Sequence, residues 1–159
     1  MARVRKPHMF FDIALRYDAM RGCCDMVFDG RDLVVDRTAL TPMLVALGTD
    51  RRARPDDDIP NPDTDRLSPV TLQGRRGWPG DALDVSGRLF GSRLWLLVRQ
   101  KHSEAVRQLA ENIVAEAMAR FEARFGRAVQ ITVRWIDRSR LGIVVQVGAT
   151  QLQLQRLIY

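Results

Sequence analysis

Two histidines, two cysteines, nineteen acids and one glycine-rich stretch are the residues of this chain that could do chemistry. His8 lies in a basic N-terminal tail and His102 beside a helix start, so a Ser-His-Asp or Cys-His site would depend on a single badly placed imidazole. Cys23 and Cys24 are sequence neighbours, which close a disulfide only with strain, and no third cysteine exists to make a framework or a zinc site. They read as reduced, partly buried thiols. Asp56, Asp57 and Asp58 could gather a hard cation, but the run lacks the glycine turn and distal glutamate of a calcium loop. It reads as a solvated acidic run pairing loosely with Arg51, Arg52 and Arg54.

A glycosidase holds two carboxylates roughly 5–9 Å apart, one with a raised pKa. Glu104, Glu111, Glu116 and Glu122 are the helical candidates, yet their spacing sets them among charges opposite the apolar stripe, as solvated residues. The stretch GRRGWPGDAL (residues 74–83) lacks the Lys-Ser/Thr pair that follows the glycines of a phosphate-binding loop. The inventory predicts no catalytic residue, no cofactor and no metal site.

Lysine and arginine number 25 against those 19 acids, a net charge of +6, and Lys6 and Lys101 are the only lysines. This balance permits an anionic partner without naming one. A nucleic-acid reader gathers its charge on one face with aromatics interleaved. Here the charge is scattered: Arg3, Arg5 and Lys6; Arg51, Arg52 and Arg54; Arg134, Arg138 and Arg140. That argues for a solvated or protein-facing surface, with a small basic nucleic-acid-binding module as the alternative. No apolar run is long enough for a signal peptide or a membrane span, so a soluble protein made in a cytoplasm is expected.

The elements that must position these residues follow from periodicity. A length of 159 residues, 46% of them hydrophobic, suits one domain: a basic tail over 1–9, a long irregular loop over 50–84, and a helix plus terminal sheet over 103–159. Residues 10–17 alternate, with Phe11, Ile13 and Leu15 on one face of a half-buried strand, and a second strand over Asp32–Asp36 follows an Asp29-Gly30 hairpin turn. A helix capped by Thr38 or Thr41 carries Leu40, Met43, Leu44 and Leu47 and stops at Gly48. In the long loop the end around Trp78 reads as ordered, by itself or by a partner, and Asp56–Pro69 as flexible. Residues 92–99 could be strand or helix. The longest helix runs from Ser103 as N-cap to Phe125, with Gly126 as its stop and Val106, Leu109, Ile113, Ala117, Phe121 and Phe125 as its core stripe. Two alternating segments, Val129–Trp135 and Leu141–Val147, form a hairpin on that helix, and QLQLQRLI adds a third strand. The fold class is α+β, an antiparallel sheet with a C-terminal hairpin packed on a long amphipathic helix.

At DRRA (Asp50–Ala53), RRGWPGDAL (Arg75–Leu83) and GSRLWLL (Gly91–Leu97), leading into that helix, the chain resembles the baseplate wedge family of Mu-like contractile-tailed bacteriophages. Pro79 stands where that family often has a second aromatic. A more distant likeness is to the wedge protein of T4-like phages, whose helix ends in Glu-Pro-Arg; here Glu122-Ala123-Arg124 carries Ala in place of Pro. The resemblance implies a virion part assembled in the bacterial cytoplasm, six copies per baseplate, of a phage or a tailocin. Its implied partners are other wedge proteins, the tail sheath protein, and tube or hub proteins. It further implies a fold like the sheath's interlocking domain, whose sheet edge pairs with sheath strands and starts sheath assembly. A lysozyme-type label has attached to the wider family, and the carboxylates above give no reason to carry it over. The candidate interface residues are Arg51, Arg52, Arg75, Arg76, Trp78, Asp81, Glu122, Arg124, Leu152 and Leu154. For Trp78 a core anchor and an interface role stay equally open, as do an internal salt bridge and an interface for Arg75, Arg76 and Asp81.

Overall fold

The computed structural model describes residues 11–18, 23–60 and 74–158. Its element order is β1 (Asp12–Ile13), β2 (Leu15–Asp18), β3 (Cys23–Met26), β4 (Val35–Asp36), α1 (Leu40–Gly48), two 3-10 helices (Pro79–Leu83 and Leu94–Arg99), α2 (Glu104–Phe125), β5 (Val129–Trp135), β6 (Arg140–Val147) and β7 (Thr150–Leu157). The class is α+β, as expected.

The N-terminal segments form a branched ribbon. β1 pairs antiparallel with β4 and β2 with β3. Ala14 lies between the two ladders, donating its N–H to Val34 at 2.8 Å and accepting from Val27 at 3.0 Å. The turn at Asp29-Gly30 forms, with Phe28 opposite Leu33 and the Asp29 carboxylate accepting the N–H groups of Arg31 and Asp32. The expected half-burial holds only at Leu15: Phe11 is 69% and Ile13 40% exposed, and Tyr17, Met26, Phe28 and Val35 are exposed too. Alternation fixes which face is apolar, but little packs on it beyond the Arg37 guanidinium, 5.7 Å above the Phe11 ring. Cys23 and Cys24 are likewise exposed rather than partly buried.

At the start of helix α1 the Thr38 hydroxyl accepts from the Leu40 N–H at 3.1 Å, as the sequence suggests, but a carboxylate adds to it. Asp36 accepts from the N–H and hydroxyl of Thr38 and from the N–H of Thr41, while Thr41 turns inward to accept from the Leu15 N–H at 3.2 Å. A carboxylate from the preceding strand thus serves the helix start. Burial raises the Asp36 pKa, but these hydrogen bonds outweigh it and hold the group below its ordinary value.

Helix α2 starts and stops as its sequence says. The Ser103 side chain accepts from the Val106 N–H at 3.2 Å, and Gly126 takes a left-handed conformation, its N–H donating to the Glu122 carbonyl at 2.8 Å. Its buried stripe is Val106, Ala110, Ile113, Val114, Met118 and Phe121; Leu109, expected in it, is 43% exposed. The sheet lies across this stripe in the order β5-β6-β7. Val133, Leu141, Ile143, Val145, Val147 and Leu152 face inward and, with Met43 and Leu47 of α1, make one core. Trp135 ties sheet to helix start, its indole N–H donating to the Ser103 carbonyl at 3.1 Å.

Residues 92–99, open between strand and helix in the sequence, form mainly a 3-10 helix with Leu94, Trp95, Leu96 and Leu97 buried. Part of the expected flexible segment, residues 61–69, lies outside the described residues. Its beginning does not behave as a loose acidic run. Asp57 is tied to Arg93 and to the Arg54 backbone, whereas Arg51 and Arg54 pair with Glu116.

Candidate functional site

The long loop is held by backbone first. Arg51 N–H donates to the Ser92 carbonyl and Ser92 N–H to the Thr49 carbonyl, each at 2.9 Å, while the Ser92 hydroxyl donates to the Leu47 carbonyl at 2.7 Å. Gly91, with φ +94°, permits this approach, because a Cβ there would collide with the Thr49 carbonyl. Farther along, Ala53 N–H donates to the Arg75 carbonyl at 3.0 Å. DRRA and GSRLWLL are therefore neighbouring segments, bridged at Asp50 and Ser92.

Side chains lock this junction onto α2. Arg93 is buried, and its guanidinium reaches Asp57 at 2.6 Å and Glu116 at 2.7 Å. Glu116 also takes Arg51 at 3.2 Å and Arg54 at 2.8 Å. Burial pushes the Glu116 carboxyl up, but the guanidiniums of Arg93, Arg51 and Arg54 prevail and its pKa lies below the ordinary glutamate value. Glu116 is thus not the solvated helix charge its spacing suggested.

Trp95 makes the second half of the clamp. Its indole N–H donates to the Arg51 carbonyl at 2.8 Å, and the Arg76 guanidinium lies 4.6 Å above its ring. Arg76 reaches this place from a left-handed backbone (φ +48°) and pairs with Asp50 at 2.5 Å. Arg75 donates to the Arg54 carbonyl at 2.6 Å.

Each candidate residue can now be placed. Arg51, Arg75 and Arg76 fix the loop internally, but not by pairing with Asp81, which accepts instead from the Phe90 N–H at 2.8 Å. Arg52 is half-buried, with no carboxylate within ion-pair distance among the described residues. Trp78 is half-exposed, its ring tilted against Phe90 at 5.7 Å and folded over Gly80, where any Cβ would strike the indole. Glu122 joins helix end to sheet, accepting from the Val129 N–H at 2.8 Å. The Arg124 side chain lies outside the described residues. Leu152 and Leu154 stand on the edge strand β7, but their side chains turn into the core.

The residues missed in the sequence are Arg93, Glu116, Asp57 and Trp95. One signal was available: Arg93 interrupts a run of apolar and small residues, GSRLWLL, where an arginine needs a buried counter-charge. The same loop presents Leu83 and Val85, which are 84% and 106% exposed. Asp84 braces it by accepting from Ser86 and from Arg88 at 2.8 Å, which hold its carboxyl down to about 2. Among the described residues no group of acids, histidines and cysteines could hold a metal ion, and no helix is long and apolar enough to cross a membrane.

Fold and clamp define a small α+β protein in which arginine–carboxylate pairs hold an irregular loop against a helix. The family model of phage protein GP46 matches residues 39–153, from α1 through the clamp into β7, and the chain belongs to that family. Baseplate protein gp46 of Escherichia phage Mu is 35% identical over 123 residues, which cover 77% of this chain and 75% of that protein. The Mu-like baseplate family recognised in the motif blocks is thereby shown.

Proposed function

We propose that the chain is a structural part of the baseplate of a contractile phage-like tail, working without catalysis. The observation that carries this reading is the match to Mu baseplate protein gp46 across most of both chains. The clamp agrees with it: of the helical carboxylates, Glu104 and Glu111 pair with Arg107, and Glu116 with Arg51, Arg54 and Arg93. Those pairs hold shape, and they lower the pKa of Glu104 and Glu116, the opposite of what a hydrolytic general acid needs. They also use arginines that a nucleic-acid reader would turn outward.

In finer detail we place the chain in the wedge, joining other wedge proteins to the tube or hub and to the first sheath ring, with six copies per baseplate. The edges of β5 and β7 support a role in starting sheath assembly. Each lacks a neighbour on its outer side among the described strands, and such an edge accepts an added strand.

Deleting the gene from a producing strain and imaging lysates by electron microscopy tests the coarse reading. Loss of complete tails, restored by a plasmid copy, is expected; normal baseplates in the deletion strain would overturn it. For the finer reading, baseplate–tube particles lacking the chain should fail to grow sheath from purified sheath protein until the chain is supplied. Clearing of purified peptidoglycan by the isolated protein would contradict a purely structural role.

A further inference from the structure

The outward face of the terminal sheet carries a polar grid of unusual composition. Register sets its residues in cross-strand rows: Gln130, Gln146 and Gln151; then Thr132, Val144 and Gln153; then Arg134, Gly142 and Gln155, with the Ile136 side chain lying over Gly142. Five of the chain's eight glutamines stand in this one grid, and all five are exposed. No aspartate or glutamate occupies an outward position on the three strands. Arg134 is exposed and has no carboxylate within ion-pair distance among the described residues. At one end a cleft of about 320 Å³ opens between Arg127, Ala128, Gln130, Gln146 and Gly148.

A merely solvated sheet face mixes charges of both signs. This one is neutral or basic, and its amides can donate and accept hydrogen bonds without the desolvation cost of buried charges. Other occupants fit less well. A single-stranded nucleic acid on a sheet stacks its bases on aromatic side chains, and these rows have none. A second copy packed face to face would bring Arg134 toward Arg134 with no acid between them.

We infer that this face docks an acidic surface of another protein, with carboxylates opposite Arg134 and backbone or amide groups over the glutamine rows. The inference rests on the baseplate reading only in seeking that protein among the other tail components.

Poly-L-glutamate serves as the probe, added to the full chain while the side-chain amide signals of the five glutamines are followed by NMR. The expected result is a salt-sensitive shift of those signals, weakened about tenfold or more by Arg134→Glu. Gln153→Glu gives a second variant if the first misfolds. Shifts elsewhere, or none, would overturn the proposal. So would stronger shifts of the same signals with oligothymidylate, or a concentration-dependent dimer that Thr132→Glu dissociates. In the deletion strain, folded Arg134→Glu/Gln153→Glu protein should fail to restore tails. Full restoration would reject the docking face and leave the baseplate reading standing.

Discussion

Arg93 carries the largest single demand for compensation, because its side chain is only 9% exposed and one guanidinium serves both Asp57 and Glu116. Arg93→Met should cost somewhat less than the roughly 3–5 kcal/mol of a fully buried pair, since Glu116 keeps Arg51 and Arg54; chemical denaturation measures it. Arg76 poses a subtler test. Arg76→Ala loses the contacts to Asp50 and Trp95 and keeps the left-handed backbone, whereas Arg76→Gly loses the same contacts and relieves it. The glycine variant should be the more stable by about 1 kcal/mol. Acid acts at the same scale. Glu116, Asp36, Asp84 and Asp137 all have lowered pKa values, Asp84 and Asp137 to about 2. Each contributes stability that is present above the unfolded-state value and lost as pH falls through the folded one. Melting temperature should therefore hold at neutral pH and fall as pH drops from about 4 toward 2, with a shallower fall in Glu116→Gln.

Among the elements, α2 shows how closely periodicity tracks packing and where it slips. The stripe was legible, but Leu109 and Ala110 are adjacent and only the facing sheet decides which turns inward. Ile113→Ala should cost about 2–5 kcal/mol, whereas Leu109→Gln should stay within about 0.5 kcal/mol; paired melts decide. β7 gives the same lesson on a strand. Leu152→Asp puts a charge into the core and should abolish folding, while Gln153→Glu, one residue on and facing outward, should leave circular dichroism and the melt unchanged. Leu152 and Leu154 therefore cannot probe the sheet edge, since a charge at either first breaks the core.

For the whole molecule, one end is a packed body and the other an amphipathic ribbon with its apolar face open. Phe11, Tyr17 and Phe28 are among the exposed residues there, together with Leu83 and Val85 on the braced loop. An exposed apolar face this extensive suits a protein that finishes burying its surface on assembly. Replacing Phe11 and Phe28 together by serine should leave the melt of the body nearly unchanged and improve solubility of the isolated chain, read by static light scattering against concentration.

The sequence by itself determined the α+β class, the caps and stop of α2, the hairpin and third strand, and, through its motif blocks, the family. These are local matters: period, turn chemistry and cap residues act over a few positions. Tertiary structure decided what the motif blocks touch. Arg51, Arg54 and Arg93 meet Glu116 only because Gly91 lets two distant segments lie side by side, and an ion pair between residues 65 positions apart, Arg51 and Glu116, leaves no periodic trace. It also decided that Cys23, Cys24 and the ribbon stay open, since burial depends on what the rest of the chain brings to a face. The sheet's outward glutamine rows lie between these cases. Alternation marked them as polar, but only the register of β5, β6 and β7 assembled them into one surface without acids.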